Sequence, residues 1–167
     1  MQDLSLPVRQ PILSRLPQIQ EAIRQTYRQY PYPWVIGYSG GKDSTTTLQL
    51  CWYALRELPP EQRTKPIYVI STDTKVETPV IVDRIHDSVR LMNEAAIEQG
   101  LNLTAHNLSP ILNDTFWVNL IGRGYPAPNS AFRWCTERLK INPSNRFILD
   151  KVDRKDFPRR LAFLGRD

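Results

Sequence analysis

Residues 35–50 read VIGYSGGKDSTTTLQL. An apolar run ends in Ser39-Gly40-Gly41-Lys42-Asp43-Ser44, and helix-compatible sequence follows. Gly40 and Gly41 let the backbone approach a ligand and turn its N–H groups inward. A helix start adds free N–H groups and a positive dipole end. Ser39 and Ser44 contribute hydroxyls, and Lys42 a charge. These are the parts of an anion site. Asp43 is the discordant residue, because a carboxylate repels phosphate. Two roles resolve it: a cap on the following helix, or a ligand to Mg²⁺ carried by the phosphates. The GxxxxGK[ST] loop is excluded, since Ile36 stands five before Gly41 and Asp43 follows Lys42. GxGxxG is absent as well.

Two further stretches carry chemistry. In "ISTDTKVETP", Ile70 to Pro79, Asp73 and Thr74 project from the carboxyl end of a strand. An acid there engages a ribose hydroxyl or a metal-linked water. The other use of Asp73, Thr74 or Thr78 is to cap the next helix; Glu77 reads as a first-turn acid. In "NSAFRWCTERLKINPSNRF", Asn129 to Phe147, Arg133, Arg138, Lys140 and Arg146 surround Cys135. Cationic neighbours favour a thiolate, which attacks sulfur or accepts it as a persulfide. Packing as a small hydrophobe is the alternative for Cys135, and the favoured role of Cys51. Two distant cysteines make no disulfide framework and no CxxC site, and cannot hold an iron–sulfur cluster alone. His86 and His106 are isolated and form no metal signature. Trp34, Trp52 and Trp117 read as core or pocket walls; Trp134, beside Cys135, stays a site candidate.

The elements that position these residues follow from periodicity and punctuation. Ile19, Ile23 and Tyr27 mark a helix over 16–30, ended by "PYP". Strands are predicted at 34–38, 66–71, 101–108 and 160–164. Helices are predicted at 44–58, 78–99, 113–121 and 143–152. Ile81, Ile85, Val89, Met92 and Ala96 form the stripe of the longest, with Gly100 as its C-terminal cap. The glycine- and proline-rich stretch 120–134 reads as a long loop, in which Arg123 either steadies a phosphate, meets nucleic acid or is solvated. Strands alternating with helices predict an α/β fold, a parallel sheet flanked by helices. Ligands in such sheets lie beyond the carboxyl ends of the strands, where "SGGKDS" and "TDT" stand.

Composition agrees with a single domain. The chain has 167 residues, 41% hydrophobic and 23% charged, ordinary values for a globular protein. No apolar run suits a membrane span and no signal-peptide pattern opens the sequence, so no membrane partner and a cytoplasmic location are expected. The net charge of +5 suits nucleotide or nucleic-acid partners, or a solvated basic surface.

Ser39–Ser44 resembles the SGGxDS loop of the ATP-pyrophosphatase (PP-loop) superfamily. With "TDT" and "RWCTERLKINP", the chain resembles its phosphoadenosine phosphosulfate (PAPS) reductase branch. Within that branch it is most similar to the sulfurtransferase subunit of bacterial DNA phosphorothioation, the Dnd system. The resemblance implies a Rossmann-like, adenine-nucleotide α-hydrolase-like fold over 31–167, preceded by a helical segment over 1–30. It implies an ATP pyrophosphatase that activates the DNA backbone for sulfur insertion. Phosphates and Mg²⁺ would sit at Ser39, Gly40, Gly41, Lys42, Asp43 and Ser44, with nucleotide contacts from Asp73, Thr74, Arg138 and Lys140. Cys135 would handle sulfur, with Lys42 and Asp43 also catalytic. A cysteine desulfurase and other phosphorothioation subunits would be partners. The full-length family carries a [4Fe-4S] cluster that this chain's two cysteines cannot bind. The family's GxRxxES-type segment is represented only by Gly165-Arg166, which implies a truncated or shortened form. A sulfonucleotide reductase, or a nucleotide-binding module without turnover, is the alternative.

Overall fold

A computed structural model describes residues 12–151. Helix α1 (Ile12–Gln29) leads into strand β1 (Trp34–Gly37), then α2 (Lys42–Arg56), β2 (Ile67–Thr72), α3 (Pro79–Glu98) and β3 (Leu103–Leu108). A loop-rich segment with a short 3₁₀ turn (Leu112–Asp114) and a π-helical turn (Val118–Gly122) follows. The last helix begins as α4 (Trp134–Thr136), passes through a π-helical stretch (Glu137–Ile141) and continues as α5 (Asn142–Lys151).

The three described strands form a parallel sheet in the order β1-β2-β3. Ile36 pairs with Val69, and Val69 with Ala105. The fold is therefore α/β, as the alternation predicts. Leu48 and Leu55 of α2, with Ala96 of α3, pack on Ile36, Ile67, Val69, Leu103 and Ala105. Burial of such side chains supplies about 1.5–3 kcal/mol each. On α5, Phe147 meets Tyr68 at 5.6 Å and His106 at 4.7 Å. Helix α1 packs against α2. Its Tyr27 is buried, lies 5.4 Å from the Trp34 ring, and accepts a 3.0 Å hydrogen bond from the Lys65 N–H. The N-terminal helix is thus tied to the chain entering β2. Among the described residues, no helix is long and apolar enough to cross a membrane.

Several boundaries move. Helix α2 starts at Lys42 rather than Ser44, which puts Lys42 and Asp43 inside its first turn. The helix predicted over 113–121 is instead a 3₁₀ turn followed by a π turn. Trp117 is 56% exposed, which corrects its reading as a core or pocket wall. Its ring meets Phe116 edge-on at 5.2 Å. Gly100 does close α3 in the left-handed region, φ 61°. The helix predicted from Pro143 starts at Trp134, because the chain turns through the π stretch before the proline. Pro143 has no N–H to offer the carbonyl of Leu139, and its ring crowds that carbonyl, so wider hydrogen bonding just before it relieves both. The strand predicted at 160–164 and the segment Gly165-Arg166 lie outside the described residues.

Candidate functional site

The glycine loop joins β1 to α2 at the carboxyl edge of the sheet. Gly40 has φ +74°, a conformation that costs other residues roughly 1–2 kcal/mol. A Cβ there would meet Ile85 Cγ1 at an ordinary 3.7 Å, so the backbone angle is what calls for glycine. The loop braces itself through its serines. Ser39 N–H donates to Ser44 Oγ at 3.2 Å, the two hydroxyls lie 3.0 Å apart, and Ser44 Oγ donates to Gly41 O at 3.1 Å. Both serine side chains thus shape the loop.

Gly41, not Asp43, is the N-cap of α2, and no side chain caps that end. Asp43 lies in the first turn, so the capping role expected for it is not the one it takes. The N–H groups of Lys42, Asp43 and Ser44 have no acceptor among the described residues. The side chains of Lys42 and Asp43 are exposed and make no hydrogen bond or ion pair there either. Thr45, Thr46 and Thr47 turn their hydroxyls back to the carbonyls of Gly41, Lys42 and Asp43. The helix start therefore offers bare amides, one cation and one carboxylate.

The turn after β2 is the opposite. Asp73 is 4% exposed, and its N–H donates to Leu108 O at 2.8 Å. Its carboxylate accepts from Lys75 N–H at 2.9 Å and Lys75 Nζ at 2.7 Å. Lys75 takes φ 63° to make this possible. Burial opposes the charged form of Asp73, but the bonds from Lys75, its charge and that of His86 outweigh it. The carboxyl is held below its ordinary range. Thr74 is also buried and donates to Glu77 Oε1 at 3.2 Å. Neither Asp73 nor Thr74 caps α3; Thr78 occupies that position, without a side-chain cap bond. Three buried polar atoms are left without partners among the described residues: Ser71 Oγ, Glu77 Oε2 and Asn107 Oδ1. Ser71 and Asn107 are paired in register across β2 and β3, just before Asp73.

Cys135 is half-buried and lines two cavities. One, about 300 Å³, also takes its walls from Thr74, Val76, Phe116, Leu139 and Lys140. The other, about 340 Å³, is walled by Pro128, Asn129, Ser130 and Arg133. The structure thus brings Thr74, Lys140 and Cys135 to one cavity. Lys140 and Arg133 are exposed, with no side-chain partner among the described residues. Arg138 is engaged elsewhere: Nη1 donates to Asp114 Oδ1 at 2.9 Å and Nη2 to Tyr125 OH at 2.9 Å. Arg146 donates to the other oxygen of Asp114 at 3.1 Å. Arg123 donates to Asn119 Oδ1 at 3.3 Å. Asp114 and Tyr125 were not marked by the sequence, because nothing in their spacing announces partners 13 to 32 residues away; Asn119, four residues from Arg123, was not marked either. Cys51 packs against the sheet core, and burial pushes its thiol up. A separate groove of about 350 Å³ between α2 and α3, walled mainly by Trp52, Leu91 and Met92, contains none of the predicted site residues.

No group of three or more His, Cys, Asp or Glu side chains suited to a metal occurs among the described residues. No protein-family model matches the chain. The chain is similar to the uncharacterized protein MJ0066 of Methanocaldococcus jannaschii, with 29% identity over 131 residues. That match covers 78% of this chain but 23% of the archaeal protein, so the chain spans under a quarter of the curated relative it resembles.

Proposed function

We propose that this chain is a PP-loop, adenine-nucleotide α-hydrolase-like domain that cleaves ATP between the α and β phosphates and serves sulfur insertion into DNA. The observation that carries this reading is the helix start at Lys42. Three unpaired amides, an exposed ammonium and a glycine in the left-handed region meet beyond the end of β1. Such a start suits a pyrophosphate leaving group.

The residues fit Mg-ATP as substrate. Lys42 and the amides of residues 42–44 would hold the β and γ phosphates. The free carboxylate of Asp43 suits the accompanying Mg²⁺, which supplies charge neutralisation when bound. The buried, unpartnered Ser71 Oγ and Asn107 Oδ1 lie on the same sheet edge and suit donors of the nucleoside. Because both carboxylate oxygens of Asp73 are engaged by Lys75, it would contribute through the shape of its turn. Arg138, held by Asp114 and Tyr125, would position the helix that carries Cys135.

A DNA phosphodiester oxygen attacks the α-phosphorus and pyrophosphate leaves. Cys135 carries sulfur from a cysteine desulfurase as a persulfide. Its terminal sulfur displaces AMP from the DNA phosphorus, and two thiols of a reductant then cleave the S–S bond and leave as a disulfide, with sulfur on phosphorus and a free thiol on Cys135. Other phosphorothioation subunits would act with it in the cytoplasm. A [4Fe-4S] cluster does not fit: Cys51 belongs to the core and Cys135 stands alone at its cavities, so no step passes through one.

The test is product analysis with Mg-ATP for wild type and Lys42→Ala, with pyrophosphate and orthophosphate quantified separately. Pyrophosphate that depends on Lys42 is the expected result. Orthophosphate alone overturns the reading. ATP binding without any product points to a binding module, and tight sulfonucleotide binding without ATP binding to a reductase relative.

A further inference from the structure

Five aromatic rings form a ladder around Cys135. Phe132 lies 6.4 Å from Tyr125, and Tyr125 lies 5.5 Å from Trp134. Trp134 stacks on Phe116 at 5.4 Å, and Phe116 meets Trp117 edge-on at 5.2 Å. In the middle, Trp134 is buried and Tyr125 and Phe116 are half-buried. Trp134 Nε1 donates to Pro126 O at 3.0 Å, and Tyr125 OH accepts from Arg138, whose guanidinium also lies over the Tyr125 ring. The two ends are open: Trp117 is 56% exposed and Phe132 42%.

Exposed rings on a rigid backing are stacking platforms awaiting a flat partner. The charge beside them has a sign. From Ile111 to Ile141 the chain carries Arg123, Arg133, Arg138 and Lys140 against Asp114 and Glu137, four positive and two negative. Asp114 is buried and already paired with two arginines. Arg133 and Lys140 stand free on the two cavities that share Cys135. A polyanion with accessible π-faces matches this surface. Duplex DNA offers the phosphates but hides its base faces in the stack, whereas a single strand offers both.

We propose that this face binds single-stranded DNA, with Phe132 and Trp117 each stacking on a base and Arg133 and Lys140 holding phosphates. The strand would then cross the mouth of the Cys135 cavities. The inference rests on the sulfur-insertion reading for the choice of DNA over RNA and for what happens to the strand; the stacking and phosphate contacts do not need it.

The experiment is fluorescence anisotropy of the full chain with a labelled mixed-sequence oligodeoxynucleotide, single-stranded and as a duplex, over a salt series. The single strand should bind at least about fivefold more tightly than the duplex. Phe132→Ala and Trp117→Ala should each weaken it by about fivefold or more, and Phe132→Tyr should retain binding. Arg133→Gln should weaken binding and lower the salt slope by roughly one contact. Thr46→Ala, at an exposed position outside both sites, should bind DNA as wild type does. Equal or tighter duplex binding, or alanine variants that bind normally, overturns the proposal. So does absence of DNA binding. Lys42-dependent pyrophosphate without ring-dependent binding sinks this inference alone. Ring-dependent binding without pyrophosphate sinks the ATP reading and leaves this one standing.

Discussion

Two connections leave the same edge of the sheet, and they treat their polar groups in opposite ways. After β1, the Ser39–Ser44 loop uses its serines to brace itself and leaves the amides of 42–44, Lys42 and Asp43 unengaged. After β2, the Asp73–Lys75 turn closes on itself, with backbone and ammonium of Lys75 both spent on one buried carboxylate. Position at the carboxyl edge therefore does not by itself leave a polar group unengaged.

The contrast can be broken by substitution. Lys42→Ala should abolish most turnover, on the order of a hundredfold in pyrophosphate release, with an unchanged melting temperature. The Lys42 side chain makes no hydrogen bond or ion pair among the described residues, so a large stability loss would show that the loop is not free. Asp73→Ala should do the reverse: a loss of about 1–3 kcal/mol in denaturant unfolding. The pH dependence follows from the same bonds. The folded-state pKa of Asp73 lies below its unfolded value, so its stabilisation is present above the ordinary carboxylate range. It is lost as pH falls through the depressed value. Asp73→Asn should flatten that acid limb of the stability profile; an unaltered limb would mean that another carboxylate carries it.

Gly40→Ala sharpens the comparison further. It should cost roughly 1–2 kcal/mol, through φ alone, since space for the methyl exists. A larger cost would place Ile85 as a steric wall. At the small end, Thr46→Ala removes an exposed hydroxyl bonded to the carbonyl four residues back. It should shift stability by less than about 0.5 kcal/mol in the same unfolding assay.

The open loop was legible in the sequence because its determinants are local: glycines, a cation and a helix start within six residues. So were the three described strands and α3, whose periodic stripe and terminal Gly100 carry their own boundaries. The engagement of Asp73 by Lys75 was not legible. It depends on Lys75 adopting a left-handed conformation, which a lysine gives no reason to expect. The Arg138–Asp114–Arg146 tie was equally hidden, because it joins residues far apart in sequence. The neighbourhood of Thr74 and Cys135 is set by how α4 meets the sheet edge, a matter of tertiary packing rather than spacing.

The π-helical stretch before Pro143 sets the rotational phase of Trp134–Thr136, the helical turn upstream of it. Each residue of an α-helix turns about 100° around the axis. Absorbing the wide turn into regular α-helix would therefore swing Cys135 by a large angle relative to Arg146 and Phe147, which anchor α5. A proline eight residues downstream thus acts as an indexing pin for a thiol it never touches.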